Sequence, residues 1–171
     1  MIHSLKHTLF ALFAVLALAT SVQAKDEISA QDFVDQASAA GMAEVEAGKM
    51  ALEKGTSPKV KEFARMMVDQ HTAANQQLKA LASKHDLEMA DAPGLTEQAK
   101  AKILEMRDSD SFDKAYANNQ VEAHKAVVEL FQTAANSEDE AIRAFAVKTL
   151  PKLEEHLKMA KQLAEDLVAK Q

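Results

Sequence analysis

Four long stretches of this chain repeat apolar residues at alternating intervals of three and four positions, which is the spacing of the buried face of an α-helix. These faces run from Phe33 to Ala51, from Val60 to His85, from Ala117 to Ala135 and from Ile142 to Leu167. Only four Gly and three Pro occur in 171 residues, so the turns that a β-sandwich or barrel needs are scarce. The sequence therefore predicts an all-α fold built from four long helices.

Capping residues set the predicted ends of the helices. Ser29 with Asp32, and Ser137 with Glu140, have the spacing of capping boxes at helix starts. Pro151 lies inside the last helix and is expected to kink it. The predicted helices cover about residues 30–54, 58–85, 96–107, 112–135 and 138 to nearly the C-terminus.

The connector between the second and third long helices, residues 86–111, is much longer than the other turns. It is long enough to cross the full length of the bundle, as ferritin-like folds require at this point. We therefore predict a ferritin-like four-helix bundle with a long connector that contains a short helix. A simple up-down-up-down bundle with one extra helix is the alternative topology.

The N-terminal residues have the pattern of a secretory signal. Lys6 precedes an apolar run from Thr8 to Thr20, and Val22-Gln23-Ala24 resembles a signal-peptidase site. We expect residues 1–24 to be cleaved and residues 25–171 to form a single domain in the periplasm, with an uncleaved anchor as the alternative. No second apolar segment approaches membrane length, so we expect no stable membrane insertion after cleavage.

Composition excludes several classes of function. The formal net charge is −6 and no basic block occurs, so nucleic-acid binding is not expected. The chain has no Cys, which rules out disulfides, thiolate metal sites and iron–sulfur clusters. No phosphate-binding loop, dinucleotide fingerprint or nucleophile elbow occurs, and we predict no organic cofactor.

Each of the four apolar faces carries one ionisable residue near its middle: Glu44, His71, His124 and His156. At about 1.5 Å per residue, Glu44 and His71 lie at similar depths below the turn at 55–57, and the crossover topology brings His124 to a comparable level. One carboxylate and three imidazoles match the ligands of a first-row transition metal ion: iron, zinc, copper or manganese. These four residues are the predicted metal ligands.

Two other interpretations of the same residues stay open. Neutral histidines could form a buried hydrogen-bonded network with Glu44, Gln120 or Tyr116, or they could serve as acid–base groups. His85 is assigned to the end of the second helix, where a cation favours the helix dipole, and not to the site.

Four sequence blocks resemble the signature blocks of the ferritin-like domain-of-unknown-function family 4142. The blocks are Glu44–Glu46 before Gly48, Phe63–Asp69 before His71, Phe112–Tyr116 before Gln120 and His124, and Leu150–Leu153 before His156. The resemblance covers about residues 29–169 and implies a ferritin-like bundle in exported bacterial proteins, with no established reaction.

The chain departs from the family block and from di-iron proteins at specific positions. The family block has an aspartate directly before its histidine, whereas Gln70 stands before His71 here. Ferritin-like di-iron sites use Glu-x-x-His pairs, but the residues three before the histidines are Val68, Val121 and Leu153. A carboxylate-bridged di-iron centre is therefore not expected.

The sequence thus predicts an exported bundle that holds one transition metal ion and acts in metal handling or envelope stress protection. The alternative is a structural or interaction module whose core histidines form a polar network. Whether the protein is an enzyme that uses a metal-bound water or a histidine pair is left open, and no protein partner is predicted.

Overall fold

The computed structural model describes residues 27–169, which form five helices and no strand, so the predicted all-α fold is confirmed. The predicted signal peptide, residues 1–24, lies outside the described residues. The helices are α1 (Ala30–Lys54), α2 (Pro58–Lys84), α3 (Leu95–Glu105), α4 (Ser109–Ala134) and α5 (Glu140–Val168). α5 continues through Pro151, which lies inside this helix.

Side-chain caps account for most of the helix starts. Ser29 accepts a hydrogen bond from the backbone N–H of Asp32, as the predicted capping box requires. The second predicted box is wrong, because Asp139 rather than Ser137 caps α5 by accepting from the N–H groups of Ala141 and Ile142. A carboxylate at this position is a stronger acceptor than a hydroxyl, and it also favours the positive end of the helix dipole.

The turn between α1 and α2 is tied to the start of α4. The Asp113 carboxylate accepts hydrogen bonds from the Thr56 N–H at 3.1 Å, the Thr56 hydroxyl at 2.7 Å and the Ser57 N–H at 2.7 Å. Because Asp113 lies near the start of α4, that helix begins at the same end of the bundle as α2. The two helices therefore run in the same direction, and the connector between them travels the length of the bundle.

The short helix α3 lies within this connector and packs against α1 and α4. Gln31 bonds the backbone of Glu88 near one end of the bundle, and Lys54 donates to the carbonyl of Glu105 near the other. None of the helices in residues 27–169 combines the length and the apolar character needed to cross a membrane.

The core consists of two apolar clusters, one toward each end of the bundle. Phe33, Leu78 and Phe131 belong to the cluster near the α4–α5 turn. Phe63 and Tyr116 belong to the cluster near the α1–α2 turn. The buried polar residues predicted from the sequence fall between these clusters along each helix, so a polar layer divides the core.

Replacing Asp113 tests the tie between the two halves of the chain. Asp113→Ala is expected to lower the free energy of unfolding by about 2 kcal/mol, because it removes charge-assisted hydrogen bonds to Thr56 and Ser57. Urea unfolding measures the change. Asp69→Ala, at an exposed position on α2, should shift the free energy by no more than about 0.5 kcal/mol. Equal effects of the two substitutions would contradict this role of Asp113.

Candidate metal centre

Helices α2, α4 and α5 each contribute one histidine to the polar layer. His71, His124 and His156 are all buried, and each offers a ring nitrogen that lies within 4.8 Å of those of the other two. We call these three residues the histidine triad. Their ring centroids are 5.3–5.5 Å apart, so every ring contacts both of the others. The three histidines, each placed on an apolar helix face by the sequence, therefore meet in one place.

The closest approach within the triad is between His71 and His124. Their Nε2 atoms are 3.4 Å apart. Two nitrogens bound at 2.0–2.1 Å to one tetrahedral metal ion also lie about 3.4 Å apart. The spacing of this pair is therefore already that of two ligands on a common ion.

Hydrogen bonds outside the triad indicate which nitrogen of His124 and His156 carries the proton. His124 Nδ1 lies 2.9 Å from the carbonyl oxygen of Gln120, and only a protonated Nδ1 can donate to it. His156 Nε2 lies 2.6 Å from Oε1 of Gln70, so this nitrogen is also the donor. The lone pairs then remain on Nε2 of His124 and on Nδ1 of His156. Partners of this kind orient metal-binding imidazoles in proteins.

Burial keeps two of the triad histidines neutral. The pKa of His71 is lowered to about 3, first by burial and then by the neighbouring His124 and His156. The pKa of His156 is lowered to about 4, first by burial and then by His124 and Lys152. A neutral imidazole is the form that binds a metal ion, so both side chains are in the ligand state at neutral pH.

Glu44, the predicted ligand from α1, is buried in the same layer but is not part of the group of nitrogens within 4.8 Å. Burial raises the pKa of its carboxyl group, and His124, the side chain of Gln120 and Lys100 offset part of that rise. The Gln120 amide is thus close enough to Glu44 to lower its pKa. Among the described residues, however, no donor meets hydrogen-bond geometry at Glu44 Oε2, and neither the Gln120 amide nor the Tyr116 hydroxyl has a partner of that geometry. Glu44 therefore lies beside the triad, next to His124.

Gln70 is the site residue that sequence reasoning missed. In the sequence, Gln70 stands out only as the residue at the position where the resembled family has an acid. Its hydrogen bond with His156 joins residues 86 positions apart, and sequence spacing does not predict such a pair. The position alone carried a signal, because the residue before a core-facing histidine on α2 faces the adjacent helix α5.

A small cavity of about 20 Å³ touches His71 and is lined also by Asn75 and Thr149. A single water needs roughly 10–15 Å³, so one water-sized ligand fits beside this histidine. Zinc sites often consist of an ion bound by three histidines and one small exchangeable ligand.

A family model described as a domain of unknown function, DUF4142, matches the sequence over residues 16–163. No curated protein and no solved structure matches it. The matched range includes Glu44, Gln70 and the whole histidine triad.

The low pKa values of His71 and His156 predict acid sensitivity. In the presence of a chelator, the unfolded chain takes up protons on both residues near the ordinary value of 6.5, whereas the folded protein does so only near pH 3–4. The free energy of unfolding should therefore fall as the pH drops from about 6.5 toward 4, by at least about 1 kcal/mol per pH unit in total.

The test compares wild type with a His71→Asn/His156→Asn double variant by urea unfolding at several pH values. The wild-type slope between pH 6.5 and 4 should exceed that of the double variant. His85→Asn, at an exposed position, should keep the wild-type slope. Identical slopes in wild type and the double variant would contradict the burial of neutral histidines.

Proposed function

The chain belongs to the DUF4142 family, whose domain has no known function, and we propose that its histidine triad binds one transition metal ion. His71, His124 and His156 are the proposed ligands. Glu44 is the proposed neighbouring carboxylate, which compensates part of the ion's charge from outside the ligand group.

The buried Nδ1 of His156 gives this proposal its strongest support. It has no hydrogen-bond partner in the described part of the chain, and the bond from Nε2 to Gln70 leaves it as a lone pair. A buried acceptor without a partner costs about 1–3 kcal/mol. In the proposed site, one metal ion accepts this lone pair together with that of His124 Nε2.

The alternative is a purely hydrogen-bonded network, which leaves more of the buried ring nitrogens without a partner. His71 can donate from Nε2 to Nε2 of His124 across 3.4 Å. The N–H groups of His124 and His156 already donate to Gln120 and Gln70, so neither can donate within the triad. The network therefore leaves His156 Nδ1 unpaired, whereas a shared ion does not.

The ligand type narrows the choice of metal. Imidazole suits zinc, copper, iron and nickel, whereas manganese prefers carboxylate and water oxygens. Because the triad contains three imidazoles and no carboxylate, zinc and copper are the ions we favour among the four predicted from the sequence. A buried triad of imidazole ligands is also poorly suited to the bridging carboxylate chemistry of di-iron proteins.

The wider assignment rests on topology and on the N-terminal sequence. Parallel α2 and α4 joined by a long connector support a ferritin-like arrangement of the four long helices. The signal-like residues 1–24 support export to the periplasm. We propose that the exported protein takes part in metal handling or in protection of the cell envelope against stress.

Elemental analysis of untagged protein tests the proposal. Wild type offered zinc or copper should retain about one ion per chain, and a His71→Ala/His124→Ala double variant should retain none. At metal concentrations 100 times Kd, the ion should add about 2.7 kcal/mol to the free energy of unfolding, and a chelator should remove this gain.

His85→Ala is the matched control and should keep the full metal content, because His85 is exposed at the end of α2. Wild-type protein that retains no ion after exposure to iron, zinc, copper and manganese in turn would overturn the proposal in favour of the hydrogen-bonded network.

Gln70 should tune the affinity of the triad. Gln70→Leu removes the acceptor that orients His156, and loss of such a partner typically weakens metal binding by about 10–100-fold. Gln70→Glu keeps an acceptor and should bind at least as tightly as wild type. Zinc competition against a chromophoric chelator measures both, with Gln76→Leu, at an exposed position on α2, as the control. Equal Kd values for Gln70→Leu and wild type would contradict the role of Gln70.

A further inference from the structure

A cavity of about 350 Å³ opens on the face of the bundle between α1 and α4, beside the connector helix α3. Seven of its 16 lining residues are alanines, including Ala39 and Ala43 from α1 and Ala123 from α4. Such small side chains leave open the space that larger core residues would fill. The cavity therefore follows directly from the alanine-rich composition of these two helices.

Glu44 lines this cavity from the buried layer. Its side chain is only 3% exposed, and its Oε2 has no hydrogen-bond donor among the described residues. Glu44 thus lines the cavity and lies close enough to His124 of the triad to interact with it electrostatically.

We propose that this cavity is the entry route of the metal ion and that Glu44 is the relay ligand that receives the ion before it passes to the triad. The proposal rests on the proposed function, because it requires an ion at the histidines. The occupant is a hydrated divalent cation, for which a carboxylate oxygen is a first ligand.

The charges around the cavity favour a cation. Asp35 and Glu97 lie at its lining together with Glu44, and Lys100 is the opposing charge. Lys100 is paired with Glu97 at 3.7 Å, so these two charges largely offset each other and the carboxylates of Asp35 and Glu44 set the sign of the lining. A cleft lined mainly by one sign of charge raises the local concentration of counter-ions and their rate of association.

The other cavities fit this role less well. The cavity beside His71 has a volume of about 20 Å³, which admits one water but not an ion with its hydration shell. A third cavity, lined by Val128, Leu157 and Lys158, contacts neither Glu44 nor any of the triad histidines.

Stopped-flow binding of Co²⁺, followed by its visible ligand-field absorption, separates the route from the site. Glu44→Gln should lower the association rate by at least about tenfold, a larger factor than the accompanying rise in Kd, because the histidines hold the ion at equilibrium and Glu44 compensates only part of its charge. Glu44→Asp should restore most of the rate. Lys100→Gln, at an exposed position, should raise the rate because it removes the opposing charge.

Blocking variants test the path itself. Ala43→Met narrows the α1–α4 cavity and should slow association, whereas Ala74→Met, which fills the cavity beside His71, should not. Circular dichroism and thermal unfolding confirm that each variant is folded. If Ala43→Met does not fold, the route is tested by the association rates of Glu44→Gln, which should fall, and of Lys100→Gln, which should rise.

Three results would overturn the inference. Association rates unchanged in Glu44→Gln and Lys100→Gln, with normal Kd, would reject the route while leaving the metal site intact. Slow association in Ala74→Met alone would assign entry to the cavity beside His71. Wild-type protein that binds no Co²⁺, Zn²⁺ or Cu²⁺ would reject the proposed function and the route together.

Discussion

Three imidazole rings are buried against one another in the middle of this bundle, and each of their nitrogens needs a partner that the surrounding apolar side chains cannot supply. Outer partners satisfy one nitrogen of His124 and one of His156, through Gln120 and Gln70. The remaining lone pairs face a region with too few donors. A shared metal ion would resolve this shortage, which is why we propose that the polar layer between the two apolar clusters is a ligand site.

The helix topology brings the histidines of this polar layer together. Asp113 holds the beginning of α4 against the α1–α2 turn, so α4 runs parallel to α2. His71 and His124 lie at comparable distances from that end, and the two side chains therefore meet. The connector that makes the parallel arrangement possible also carries α3 along the α1–α4 face, where Glu97 and Lys100 line the cavity that leads to Glu44.

The helices and the triad could be predicted because both follow from local periodicity. Alternating spacings of three and four residues define the buried faces, and a histidine on such a face must enter the core. The position of Glu44 beside the triad could not be predicted, since side-chain reach between helices depends on their separation and rotation. Periodicity also does not specify two other features. The capping of α5 by Asp139 depends on local backbone geometry. The contact of Gln70 with His156 depends on the packing of α2 against α5, which are far apart in the chain.

Nuclear magnetic resonance of ¹⁵N-labelled histidine tests the shared site most directly. In metal-free protein, His124 should carry its proton on Nδ1 and His156 on Nε2. Addition of Zn²⁺ should then shift the unprotonated nitrogens of all three triad histidines together, stop at one equivalent, and leave His85 unchanged. Protonation of His156 on Nδ1, with no triad resonance responding to zinc, would contradict the account and identify the layer as a hydrogen-bonded network.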